Sequence, residues 1–148
     1  MKARTIFTTA LICASLVLAS AVAAQAASYY VYKQCASANN CDGSAYTSKS
    51  GRKMITFSLG KKCDDGSMVT IVAEKLKISK TGHFSAEVKL NIWKMTEQLS
   101  YTGTAQITGK VKRKKKVTGS VTVTTEAPNC GSLSGNYRMK YAYTQTGG

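Results

Sequence analysis

Residues 99–125 read LSYTGTAQITGKVKRKKKVTGSVTVTT, and the period of this stretch decides the fold class. Leu99, Tyr101, Gly103, Ala105, Ile107, Gly109 and Val111 fall on one side of an extended chain. Ser100, Thr102, Thr104, Gln106, Thr108, Lys110 and Lys112 fall on the other. Successive side chains of a strand point to opposite faces, so this alternation specifies a strand with one buried and one wet face. After the basic run, Val117, Gly119, Val121 and Val123 repeat the inner set, with Thr118, Ser120, Thr122 and Thr124 outside. Folding the stretch about Lys114 sets Val111 opposite Val117, Gly109 opposite Gly119 and Ile107 opposite Val121. Every inner residue then meets an inner one, whereas a slip by one residue would reverse them all. The facing glycines predict a bulge, or the close approach of a neighbouring segment.

The same period runs outward from this hairpin. HFSAEVKLNIW (residues 83–93) places Phe84, Ala86, Val88, Leu90 and Ile92 on one face. KMITFSL (53–59) alternates Ile55, Phe57 and Leu59 against Met54, Thr56 and Ser58, and MVTIVA (68–73) offers Val69 and Ile71. YRMKYAY (137–143) puts Tyr137, Met139, Tyr141 and Tyr143 together, and YYVYKQ (29–34) adds another short strand. Gly, Asn, Asp and Ser cluster between these pieces, as turns require, and CDDGS (63–67) carries the Asp-Gly pair of a tight turn. VAEKLKI (72–78) is the sole contender for helical periodicity beyond the N-terminal leader, and it is too short. The expected fold is all-β: seven or eight antiparallel strands in a sandwich or small barrel.

Residues 1–26 are set apart from this fold. MKAR is a short basic segment, an apolar run follows, and small residues at Ala24 and Ala26 form the pattern a signal peptidase reads. Cleavage after Ala26 would leave residues 27–148 as a single β domain, secreted or periplasmic and not membrane-spanning once processed. A membrane barrel is disfavoured, because the outer strand faces carry Ser, Thr and Lys. Lipidation at Cys13 is disfavoured by Ile12, which stands where a small residue is needed. Four cysteines then remain, Cys35, Cys41, Cys63 and Cys130. An even number in an exported chain reads as two disulfides with three connectivities open. The expected pairs are Cys35–Cys41, closing a small loop, and Cys63–Cys130, tying an early turn to the approach of the last strand. Zinc is the weaker alternative, since no C-x-x-C pair occurs and the lone His83 is remote in sequence. No metal or cofactor is expected.

The chain carries 21 Lys and Arg against 7 Asp and Glu, a net charge of +14, and only Lys2 and Arg4 leave with the leader. Such an excess favours anionic partners without bearing on fold. It is densest at Lys110, Lys112, Arg113, Lys114, Lys115 and Lys116. In the register above Lys112 opposes Lys116, an arrangement that costs sheet stability and that a hairpin needing only solubility would rarely adopt. These six residues are the candidate anion-binding site; a plain solvated turn is the alternative. The expected partner is an anionic polymer or acidic surface, with no sequence-specific nucleic acid, because no base-reading module accompanies the charge.

Tyr29, Tyr30 and Tyr32 near one end, and Tyr137, Tyr141 and Tyr143 near the other, interleave with Lys33, Arg138 and Lys140. Stacking platforms use such mixtures, but terminal strands pairing through large rings would read the same, and the structural role is preferred. Catalytic signals are poor. His83 follows a turn, Asp64 and Asp65 belong to one, and no nucleophile motif or phosphate-cradling loop is present. The chain therefore reads as non-enzymatic. A protein-binding domain of adhesin or inhibitor type is the alternative, with a small secreted hydrolase behind it.

AYTSKSGRKMITFSLGKKCDDGS (45–67), ISKTGHFSAEV (78–88) and the later TGKV, VTGSVTVTT and CGSLSGNYRMKY segments resemble an uncharacterised group of small exported bacterial all-β proteins with two spaced cysteines. The matching positions are Thr47 and Ser48, Cys63, Gly82 and Phe84, Val117 to Thr124, and Cys130, with His83 as an insertion. The resemblance implies the fold, export and a Cys63–Cys130 bond, and transfers no activity. The lysine-dense tip and the Cys35–Cys41 loop depart from the group.

Overall fold

The structure, a computed structural model, describes residues 27–38, 40–94 and 97–146. The leader expected at residues 1–26 lies outside them. Eight strands follow one another: β1 (Ser28–Ser37), β2 (Asn40–Ser48), β3 (Lys53–Lys62), β4 (Met68–Lys77), β5 (His83–Lys94), β6 (Leu99–Lys112), β7 (Lys116–Thr125) and β8 (Gly135–Thr146). They form one antiparallel sheet in the order β4-β3-β2-β1-β8-β7-β6-β5. A sandwich needs two sheets, so the barrel alternative is the one realised. Two four-strand meanders are joined by the pairing of β1 with β8, and the sheet curls until β4 approaches β5. No ladder closes that last seam; the two strands are linked through the turn at residues 78–82, where the Ser79 N–H donates to the His83 carbonyl at 2.8 Å.

The β6–β7 hairpin has Val111 against Val117, Gly109 against Gly119 and Ile107 against Val121. The facing glycines are explained by close approach. Phe84 lies opposite Gly109 and Tyr137 opposite Gly119, so two large rings from the flanking strands converge over a pair of residues without side chains. A Cβ on Gly119 would stand 1.9 Å from the Thr108 carbonyl oxygen, and one on Gly109 2.4 Å from the Tyr137 hydroxyl. Phe57 completes the cluster, its ring centroid 5.1 Å from Tyr137 and 6.3 Å from Phe84. Buried Tyr137 donates its hydroxyl proton to the Thr108 carbonyl at 2.9 Å, satisfying the one polar atom it brings inside. Burial pushes its acidity well below that of an ordinary phenol.

Strict alternation fails at several bulges, and two of them change facings expected from the sequence. In β3, Tyr46 opposes Thr56 while Thr47 opposes Met54, which leaves Ile55 as the extra residue. Met54 is turned into the core in its place, contrary to the expected Ile55–Phe57–Leu59 face. In β8, Tyr32 opposes Tyr141 while Val31 opposes Tyr143, so Ala142 is the extra residue. Tyr143 is thereby moved off the inner face that carries Tyr137, Met139 and Tyr141, and is 43% exposed.

Both disulfides form, Cys35–Cys41 across the β1–β2 hairpin and Cys63–Cys130 between the β3–β4 turn and the segment before β8. The second closes one mouth of the barrel with Leu133, buried in a single 3-10 turn at Gly131–Leu133. Lys94 is fully buried at the same end and pairs with Asp65. Inward alternation from Phe84 through Ile92 carries on to Lys94, so the barrel interior ends on an ammonium group that needs a counter-charge. Asp65 supplies it from the CDDGS turn, and also accepts the Ser67 N–H at 3.0 Å. The Lys94 hydrogen bond, helped by Ser67, holds the Asp65 carboxyl well below the usual range, at about 2.

Candidate functional site

The meander topology sorts charge by barrel end. The β2–β3, β4–β5 and β6–β7 turns share one mouth, and they bring Lys49 and Arg52, Lys80, and Arg113 to Lys115 together. The strand ends beside them add Lys53 opposite Lys77 and Lys112 opposite Lys116. Asp42, Asp64, Asp65, Glu97 and Glu126, five of the seven acidic residues, lie at or near the other mouth. The two mouths therefore differ in charge: cations without carboxylates gather at the first, whereas the carboxylates of the second lie among Lys61, Lys62 and Lys94.

At the basic mouth the β6–β7 turn folds over the barrel. Lys114 adopts φ 52°, the left-handed region, although no Gly, Asn or Asp is present to ease it. The compensation is local: the Lys115 N–H donates to the Lys112 carbonyl at 2.9 Å, and the Lys114 N–H to the Tyr32 hydroxyl at 3.2 Å. Arg113 donates to the Tyr30 hydroxyl at 3.1 Å, and the Arg113 and Lys114 charges stand 5.3 and 5.5 Å from the Tyr30 ring centre. The Lys115 carbonyl accepts from the Tyr141 N–H at 2.9 Å. Tyr141 in turn meets Tyr30 and Tyr32 edge to face. The terminal-strand tyrosines thus build the wall on which the basic turn rests. The Arg113 hydrogen bond, with the nearby positive charges, lowers the Tyr30 pKa, while burial raises that of Tyr32.

The six predicted cations accordingly separate. Arg113 and Lys114 turn to the barrel mouth, Lys115 is exposed at the turn, and Lys110, Lys112 and Lys116 project from the outer sheet face. That face holds residues the sequence did not assign to the site. Lys116 opposes Lys140, and Lys140 opposes Lys33. Lys33, Lys140, Lys116 and Lys112 therefore form one row across β1, β8, β7 and β6, with neighbouring Cβ atoms about 4.5–5.5 Å apart. One step down each strand, the next row runs His83, Lys110, Thr118 and Arg138. Neither row contains a carboxylate, and the sole ion pair among the described residues is the remote Lys94–Asp65 pair. Lys33 also covers the ring of Tyr143 at 5.3 Å, an outward aromatic created by the β8 bulge.

Three facing lysine pairs at such spacing each oppose folding by a few tenths to about 1 kcal/mol at low salt. Nothing in the packing requires them, since these side chains leave the sheet toward solvent. His83 stands opposite Lys110 with no carboxylate beside it in the ladder. No group of three or more metal-ligating side chains occurs among the described residues, and no helix among them is long and apolar enough to cross a membrane. Comparison of the chain with protein-family models, with curated proteins and with solved structures finds no match.

Proposed function

We propose that this protein is an exported, non-enzymatic binding module that holds anionic polymers of the cell envelope or its surroundings against the β1–β8–β7–β6 face. The observation that carries the reading is the uninterrupted Lys33–Lys140–Lys116–Lys112 row. A row of like charges weakens an isolated protein and becomes favourable once phosphate or carboxylate groups lie along it. Lys110 and Arg138 in the second row widen the track, and Arg138 contributes the planar fork suited to two oxygens of one anionic group. Two disulfides suit an oxidising compartment, in keeping with a secreted or periplasmic location.

The test is a titration with a soluble anionic polysaccharide across a range of salt. Affinity should fall linearly on a log–log plot, with a slope that records the displaced counterions. Changing Lys33, Lys112, Lys116 and Lys140 to Gln should flatten that slope. Binding that tolerates salt, and survives those four changes, would instead point to a protein partner on another face.

A further inference from the structure

The three turns of the basic mouth enclose a groove of about 320 Å³ that is separate from the lysine row. Arg52 comes from the first turn, Lys80 from the second and Arg113 from the third, with the hydroxyl-bearing Ser50, Ser79 and Thr81 between them. None of the residues lining it is acidic. Its volume is at the small end of ligand sites and suits one sugar-sized body rather than a length of polymer.

The groove is fixed by the backbone. The Ile78 N–H donates to the Arg52 carbonyl at 2.9 Å, joining the first turn to the second. The Val111 N–H donates to the Gly82 carbonyl at 2.9 Å, joining the second to the third. Gly82 makes this approach possible: its φ is +88°, and a Cβ there would stand 2.5 Å from the Val111 carbonyl oxygen. Arg113 is steered by its hydrogen bond to Tyr30. Ser50 and Ser79 are each oriented by a hydroxyl partner at 2.9 Å, Ser48 and Thr81 respectively. Three cationic and three hydroxyl-bearing residues on tied turns line one groove, and Arg113 retains guanidinium N–H groups beyond the one given to Tyr30, a donor set suited to an anion with more than two oxygens. A carboxylate fills only part of such a donor set, whereas a tetrahedral oxyanion reaches several sides of it.

We infer that this groove binds a phosphate or sulfate monoester carried on a small polar body, such as a terminal modified sugar. The inference rests on the anion-binding reading above and adds a discrete ligand class at a second place. It is tested by amide NMR on the oxidised chain from residue 27 onward, which contains all eight strands and both disulfides. The probes are glucose 6-phosphate, glucose 6-sulfate, glucuronate and glucose.

One or both esters should give saturable shifts centred on Gly51, Thr81 and Gly82, and the tighter of the two identifies the oxyanion. Glucuronate should bind at least severalfold more weakly, and glucose not at all. Arg52→Gln and Lys80→Gln alter exposed side chains, and each should weaken the ester roughly tenfold, about the effect of losing one charge-assisted hydrogen bond. Lys116→Gln and Lys140→Gln should leave the ester affinity within about twofold. Shifts that never saturate, that lie on the lysine row, or that are equally strong with glucuronate would overturn the groove assignment. Polymer binding by the row is measured separately and would stand or fall on its own titration.

Discussion

Changing Gly119 to Ala tests the packing that positions the basic hairpin. The added Cβ would lie 1.9 Å from the Thr108 carbonyl oxygen and 2.4 Å from the Tyr137 hydroxyl, both far inside contact distance. The first neighbour is backbone in the paired strand, so β6 and β7 must separate locally and Tyr137 must swing away. Overpacking of this kind costs about 1–3 kcal/mol. Losing the Tyr137–Thr108 hydrogen bond adds about 1 kcal/mol. Alanine returns about 0.4–1 kcal/mol by restricting the unfolded chain. The net expectation is a loss of about 2 kcal/mol, or roughly 8 °C in melting temperature for a domain of this size.

Gly131→Ala is the control, because a Cβ there meets nothing within 4 Å. It should be neutral or slightly stabilising. Urea and thermal unfolding of the oxidised chain, followed by far-ultraviolet circular dichroism, read both variants. A Gly119→Ala protein within about 0.5 kcal/mol of the parent would refute the convergence of Phe84 and Tyr137 over the glycine pair.

Three further outcomes follow from the geometry. The folded-state pKa of Asp65, about 2, lies below that of an unfolded aspartate, so its contribution is complete above about pH 4–5 and is lost as pH falls through 2; pH-dependent unfolding should show this acid limb, and Asp65→Asn should remove it. Tyr32→Phe deletes the acceptor of the Lys114 N–H, so amide exchange in the 113–115 turn should quicken with a stability loss of about 0.5–1.5 kcal/mol; an unchanged exchange rate would mean the turn does not rest on the tyrosine wall. Lys140→Glu converts two repulsive neighbours, Lys33 and Lys116, into attractive ones. It should stabilise the fold by about 1 kcal/mol at low ionic strength and by much less in 0.5 M salt, with equilibrium unfolding at both conditions as the check.

Period-two alternation made most strands legible in the sequence, and the β6–β7 register could be written down because a tight hairpin aligns its own inner residues. The same rule misplaced Ile55 and Tyr143, because one inserted residue reverses the facing of everything beyond it and leaves no local mark in composition. Lys94 was within reach: it continues the Phe84-to-Ile92 series, and only its charge argued against an inward position. The candidate site was half legible. Lys112 and Lys116 are neighbours through a local turn, whereas Lys33 and Lys140 join them through pairings of strands from opposite ends of the chain. The arginines of the groove, Arg52 and Arg113, are likewise brought together by closure of the barrel rather than by spacing along the chain. Tyrosines beside lysines at both termini were the visible trace of that closure, since β1 and β8 are the strands that seal the two meanders.

On the proposed reading the arrangement of the cations, and not their number, holds the polymer. Two variants of equal net charge separate the alternatives on an anionic polysaccharide resin run through a salt gradient. One has Lys33, Lys112, Lys116 and Lys140 changed to Gln; the other has Lys49, Lys62, Lys77 and Lys89 changed to Gln, four exposed lysines spread over other faces. The row variant should elute at markedly lower salt than the scattered one, which should stay close to the parent. Elution of the two variants at the same salt would show that retention follows total charge, and the lysine row would then be no binding site.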